Sequence, residues 1–339
     1  MTDEILAALK RELGFDLRVV REDRRRHSRI LRVSAETPGG TLRLIAKQVE
    51  PDGEDVDSHR PAAVRVATEF NVLRLVHERF PSNGRFGTIR PVASFPELRT
   101  VVMEEAPGSS LNVAFRRFGR GWSARRSRER LMDACHRVGE WLAQFQDLTR
   151  SPDAVAPHLE RVRSEILDLL SRLVARAIVR FPEELAVRIP RFVDRALEHA
   201  EPGSIAVTGA TGEISPENML LDGTRLIILD FGMYGPDTAL SDPAMFYYHL
   251  ARLGHNPIYR PSLTSRLQTS FLEGYGRAGL DRDAVFRVYL LKFKLSRMDA
   301  ESGRKWESFD AARKLFYRRV WHLEKKDLDR VVAFDEPHR

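Results

Sequence analysis

Asn218 and Asp230 bracket the segment of this chain with the clearest chemical content. Between them, Met-Leu-Leu-Asp222-Gly223-Thr-Arg-Leu226-Ile-Ile-Leu229 forms two apolar runs around an Asp-Gly pair. Asp-Gly between strand-like runs is a strong hairpin signal, because both residues tolerate the positive φ of a type I′ turn. Folding the segment there brings Asn218 and Asp230 side by side at the open end. An amide oxygen and a carboxylate are hard donors, the kind that suits Mg²⁺. Glu213, just upstream, adds another carboxylate within reach of the same mouth. Together they point to a metal–nucleotide phosphoryl-transfer site.

A cation belongs in such a site, and Lys47 is placed to supply it. It lies on a strand-like run, Leu42 to Val49, whose alternation puts Ile45, Lys47 and Val49 on one face. A lysine among apolar neighbours is costly to desolvate unless a carboxylate or phosphate meets it. Glu69 is the candidate partner, since Val66, Leu73 and Val76 at helical spacing place it on the apolar stripe of a helix over 62–80. The turn between the first two strands, Arg21 to Ser28, holds no glycine. Backbone amides therefore lack the usual glycine-rich approach to phosphate, and Ser28 with its neighbouring arginines offers side chains instead.

The segment Thr211-Gly-Glu213-Ile-Ser-Pro-Glu-Asn218, followed by Asp230-Phe231-Gly232, resembles the catalytic and metal-binding loops of the protein-kinase-like aminoglycoside phosphotransferase family, which also holds choline and homoserine kinases. In those loops a His-Gly-Asp triplet precedes the asparagine; here Thr211 and Glu213 stand at the histidine and aspartate positions. The resemblance implies that Asn218 and Asp230 hold Mg²⁺ and that Glu213 takes the catalytic carboxylate position. It implies that Lys47 grips the α- and β-phosphates of ATP while Glu69 orients it. Thr100 to Gly108 resembles the interlobe hinge, so the Glu104 carbonyl and Ala106 amide would meet the adenine edge, with Met103 at the back of the pocket. The implied activity is transfer of the γ-phosphate of ATP to a hydroxyl of a small molecule of the sugar, amino-sugar or amino alcohol class. Glu213 in place of aspartate leaves open a nucleotide-binding pseudokinase, a regulatory scaffold. A third reading is a kinase of proteins or anionic polymers using the basic stretch from Arg116 to Arg130.

These residues need elements to hold them. The pattern predicts a first helix over 1–14 with Ile5, Leu6, Leu9 and Leu13 on one face, then strands at 17–20, 28–33 and 41–49. An acidic, turn-rich loop spans 51–58. The helix at 62–80 and strands at 88–95 and 99–104 complete a β-rich unit, residues 1–105. Residues 106–339 carry helical periodicity, interrupted by the hairpin. The expected fold class is α+β: a bilobal protein-kinase-like fold with a small β-rich first lobe and a large helical second lobe. The helices at about 157–200 are expected to build the acceptor side. Asp242-Pro243 reads as an N-cap with proline in the first helical position.

Composition narrows the class. The chain of 339 residues, 42% hydrophobic and 30% charged, has the make-up of an ordinary globular protein. No apolar run approaches the length of a membrane helix, and the first residues lack a secretory pattern, so a cytoplasmic location is expected. The single cysteine, Cys135, excludes an internal disulfide and a cysteine metal cage. The net charge of +7 is compatible with a nucleotide and an anionic acceptor. No nucleic-acid signature accompanies it. His27, His136, His249 and His255 show no metal-ligand spacing and are assigned no chemistry.

Overall fold

The run Gly40 to Val49, whose burial alternates from Leu44 to Gln48, lies inside the sheet that carries Lys47. The structure, a computed structural model, describes residues 2–25, 28–50, 60–80, 84–119, 125–201, 203, 205–303 and 306–333. In chain order the elements begin with α1 (Thr2–Leu13), β1 (Arg18–Arg24), β2 (Ser28–Thr37), β3 (Gly40–Val49) and α2 (Ala62–Arg79). Next come β4 (Phe86–Gly87), β5 (Pro91–Phe95), β6 (Thr100–Glu104), β7 (Ser109–Ser110), α3 (Leu111–Phe118), α4 (Arg125–Leu148), α5 (Ala156–Ala175) and α6 (Glu183–Glu198). Then follow β8 (Val207–Ala210), β9 (Met219–Asp222), β10 (Arg225–Ile228), β11 (Gly235–Thr238), α7 (Ser241–Leu253), α8 (Pro261–Gly274), α9 (Ala284–Ser302) and α10 (Ala311–Ala333). The expected loop at 51–58, His27, Arg26 and Arg120 lie outside the described residues.

Two compact units emerge: residues 1–115 with 211–235, and residues 116–210 with 236–339. The first holds an antiparallel sheet in the order β1-β2-β3-β6-β5. Alternation divides its residues between two faces. Leu44 and Ala46 of β3, with Leu31, Val33 and Val102, face Ile5 and Leu9 of α1 in a buried core. Ile45 and Lys47 take the opposite face, in register with Arg32 and Ile30 on β2 and with Met103 and Val101 on β6.

The hairpin β9–β10 belongs to this first unit, whereas the sequence placed residues 211–235 with the helical part. The reason is strand pairing. β10 runs parallel to β4, Leu226 opposite Phe86, and β9 pairs with β7, Ser110 opposite Leu220. The turn also differs from expectation. Asp222 pairs with Arg225, so the loop residues are Gly223 and Thr224. Only Gly223 has positive φ, +58°, a pattern of type II′ rather than I′. The strand expected at 88–95 is shorter, beginning only at Pro91 as β5, with β4 lying before the expected span. The pairing of β5 to β6 is irregular between Pro91 and Ala93, where proline offers no N–H to the ladder.

The second unit is helical apart from β8 and β11, which pair with each other. Trp141 stacks on Phe145 at 4.8 Å, and Phe246 meets Phe271 edge-on at 4.9 Å, all four rings fully buried. Asp242 sits inside the first turn of α7, one residue beyond Ser241, rather than at its cap, and is buried. No helix among the described residues is long and apolar enough to cross a membrane.

Candidate functional site

Lys47 is held between two carboxylates that come from distant parts of the first unit. Its Nζ lies 3.1 and 3.0 Å from the two carboxylate oxygens of Glu69 and 2.6 Å from Oδ1 of Asp230. Glu69 leaves the apolar face of α2, next to buried Val66 and Leu73, and is only 1% exposed. An unpaired charge at that depth would be strongly destabilising, so burial of Glu69 and its ion pair imply one another.

Asp230 has φ of +67°, in the left-handed region that non-glycine residues seldom occupy. The conformation is held on both sides. Upstream, the Leu229 N–H donates to the Asn218 carbonyl at 2.8 Å and closes the hairpin mouth. Downstream, Phe231 is fully buried and the Tyr234 N–H donates to the Phe231 carbonyl at 3.0 Å. Arg60 donates to the Tyr234 carbonyl at 2.5 Å. Gly212, φ +75°, lets the loop before Asn218 pass the Met233 backbone, where a Cβ would stand 2.7 Å from the Met233 carbonyl oxygen. The loops carrying Glu213 and Asp230 are thus packed backbone to backbone. Asn218 donates its amide nitrogen to the Glu213 carbonyl at 3.1 Å, which leaves the amide oxygen as its acceptor side.

A cavity of ≈ 580 Å³ opens over this cluster. All the expected site residues border it: Ser28, Lys47, Glu69, Met103, Glu104, Ala106, Glu213, Asn218 and Asp230 are on its wall. Its apolar part comes from Ile30, Ile45, Ile89, Leu220 and Leu229. Alternation on β3 placed Ile45 on the Lys47 face. Ile30, Ile89, Leu220 and Leu229 were given no site role from the sequence, although period-two alternation on β2 and β9 was an available signal for Ile30 and Leu220. At the rim Glu104 pairs with Arg90 at 2.8 Å, and Glu105 pairs with Arg32. Arg65, on the same helix as Glu69, also borders the cavity and was given no role from the sequence.

Charge crowding sets the protonation preferences. Burial works against the Lys47 ammonium, but Asp230 and Glu69 outweigh it and hold its pKa above the ordinary lysine value. Burial lifts Glu69 above the usual carboxylate range, with Lys47 opposing and Asp230 adding to the rise. Asp230 resists its own burial, because Lys47 and the Gly232 N–H stabilise its charge and keep its pKa low. Glu213 is pushed up to about 7, by burial first and by the negative charge of Asp230 second, against the pull of Lys47 and Arg65.

One further polar cluster lies in the second unit. His255 has ring nitrogens 3.4 Å from Glu324 and 3.2 Å from Asp327, a group with the spacing of metal ligands. Lys294 already stands 2.9 Å from Glu324 and 3.5 Å from Asp327, and Tyr248 donates to Glu324 at 3.2 Å. A cation is built in, so the cluster reads as a balanced buried network.

The sequence pattern described as the phosphotransferase enzyme family matches residues 12–289. No curated protein sequence matches the chain. Among solved structures the chain is similar to a choline/ethanolamine kinase family protein from Mesorhizobium loti, at TM-score 0.56 and 14% identity over 98% of both chains. It is similar to a choline kinase from Cryptosporidium parvum, at TM-score 0.54 and 13% identity over 98% of both chains. The ADP-bound aminoglycoside phosphotransferase APH(2'')-Ib gives TM-score 0.53 and 13% identity over 98% of both chains. Kinase-like folding of the whole chain accounts for these coverages.

Proposed function

The chain belongs to the phosphotransferase enzyme family, and from that membership and the cavity around Lys47 we propose that it is a small-molecule kinase that moves the γ-phosphate of ATP to a hydroxyl group. The observation that carries the proposal is the Lys47 ammonium held against Glu69 and Asp230 on the wall of one cavity. Three oxygen-rich side chains meet there, Glu213, Asn218 and Asp230, and such hard donors fit Mg²⁺. Asp230 and Asn218 would hold the ion, which when bound neutralises phosphate oxygens. Lys47 then serves the inner phosphates, oriented by Glu69 from a rigid helix. The apolar wall of Ile30, Ile45, Ile89 and Met103 suits the adenine ring, next to the backbone of Glu104 and Ala106.

In the transfer, the acceptor oxygen forms a bond to the γ-phosphorus as the bond to the bridging oxygen breaks and leaves its electron pair on ADP. The acceptor proton passes to the Glu213 carboxylate. Phosphoryl transfer runs chiefly on positioning and charge neutralisation, and a glutamate reaches farther than an aspartate from the same backbone. The acceptor is taken to be a sugar, amino-sugar or amino alcohol.

The test is ADP release in the presence of MgATP and a panel of hydroxyl acceptors. At least one acceptor should stimulate release, and Asp230→Ala should abolish the stimulated rate. Binding of MgATP with no turnover across the panel would instead make the chain a nucleotide-binding scaffold and end the kinase reading.

A further inference from the structure

The helix that delivers Glu69 delivers a second charge to the same place. Arg65 precedes Glu69 by four residues within α2, so the two side chains leave one face of the helix. Arg65 lines the cavity beside Lys47, Glu69, Glu213 and Asp230. Its Nε is buried with no hydrogen-bond partner among the described residues. A buried guanidinium N–H left without an acceptor is uncommon and asks for one. The charge of Arg65 also acts on Glu69, Glu213 and Asp230, lowering the proton affinity of each.

The other cations on the wall are differently committed. Lys47 is engaged by Glu69 and Asp230. Arg32 also has a buried Nε without a hydrogen-bond partner among the described residues, but its guanidinium is already engaged by Glu105. Arg25 is exposed at the turn before β2. That turn, residues 21–28, has no glycine, so close approach of backbone amides to phosphate is not its device. Incoming phosphate charge has to be met by side chains, and Arg65 is the cation with donor capacity to spare near Glu213, the transfer end of the cavity.

We propose that Arg65 is a phosphate-binding residue whose guanidinium takes the terminal phosphoryl group of the nucleotide. The assignment rests on the kinase reading above. A planar guanidinium can bind two phosphate oxygens at once, and its placement on α2 fixes it by the same element that fixes the Lys47–Glu69 pair. It would offset charge on the terminal phosphate oxygens during transfer, the part a glycine turn plays with amides.

Calorimetric titration of the full chain with Mg²⁺ and either AMP-PNP or ADP separates the possibilities. Arg65→Ala should weaken AMP-PNP binding by about 10- to 100-fold, the range for losing charged hydrogen bonds, while ADP, lacking the contacted group, shifts by less than about threefold. Arg65→Lys, with the charge but without the fork, should fall between, and it carries the same comparison if the alanine variant does not fold. Equal losses for both nucleotides, or no loss for either, overturn the assignment and leave the kinase reading standing. Wild-type protein that binds neither nucleotide overturns both.

Discussion

At the scale of single residues, the proposed transfer turns on Glu213. Its carboxylate has the charge needed to accept a hydroxyl proton but one more methylene than aspartate would have at that backbone position. A pocket shaped around the longer side chain makes the shorter one a loss. Glu213→Asp should lower kcat on the order of 10²-fold, the scale for misplacing a reacting group by about 1 Å. Glu213→Gln removes the proposed base altogether and should cost about 10²- to 10⁴-fold. The pH profile adds a separate check. Burial and the charge of Asp230 push Glu213 up to about 7, and only its ionised form can take the proton. The value of kcat/KM should therefore rise with pH up to about 7 and level off above it. The residual rate of Glu213→Gln should lack that step. Steady-state rates across pH 5–9 give both results, and a profile unchanged in the glutamine variant would remove Glu213 from the base role.

At the scale of elements, close backbone approach organises the molecule as much as apolar packing does. Gly139 of α4 and Gly274 of α8 face each other's main chains. A Cβ on Gly139 would stand 2.5 Å from the Tyr275 nitrogen and 2.8 Å from the Gly274 carbonyl carbon, with neither helix backbone able to yield cheaply. Gly139→Ala should destabilise by about 1–3 kcal/mol through overpacking, read as a lower urea midpoint. Gly39→Ala is the control: its Cβ would meet only Thr37 Oγ1 at 3.8 Å, so the change should stay within about 0.5 kcal/mol. Neither glycine was legible from sequence, because a close helix crossing leaves no mark except the glycine itself. Local features were legible. Alternation gave β3 and its Lys47 face, helical spacing gave the buried side of α2, and Asp-Gly gave the hairpin. The turn type was misread by one residue, because strand pairing carried Asp222 into the ladder. Arg65 escaped notice for a related reason. An arginine on an amphipathic helix looks solvated until the partner surface is known.

At the scale of the whole molecule, the feature that sequence order hid is a unit made of two separated stretches. Residues 211–235 join residues 1–115 because β10 pairs in parallel with β4 and β9 pairs with β7. Such non-local pairing is invisible to any local window. Its consequence is that every wall residue of the cavity belongs to one compact unit, although Lys47 and Asp230 are far apart in the chain. Ligand binding stabilises what it touches, by about 2.7 kcal/mol at a hundredfold excess over Kd. Hydrogen exchange with saturating Mg²⁺ and AMP-PNP should accordingly slow amides in β2, β3, α2 and residues 211–233 together. Helices α6, α8 and α10, none of which contributes a wall residue, should exchange at their ligand-free rates. Protection confined to residues 28–104, with 211–233 unchanged, would mean that the hairpin and its carboxylates take no part in holding the nucleotide. Linked protection of both stretches is the outcome expected when one cavity is built from two distant pieces of chain.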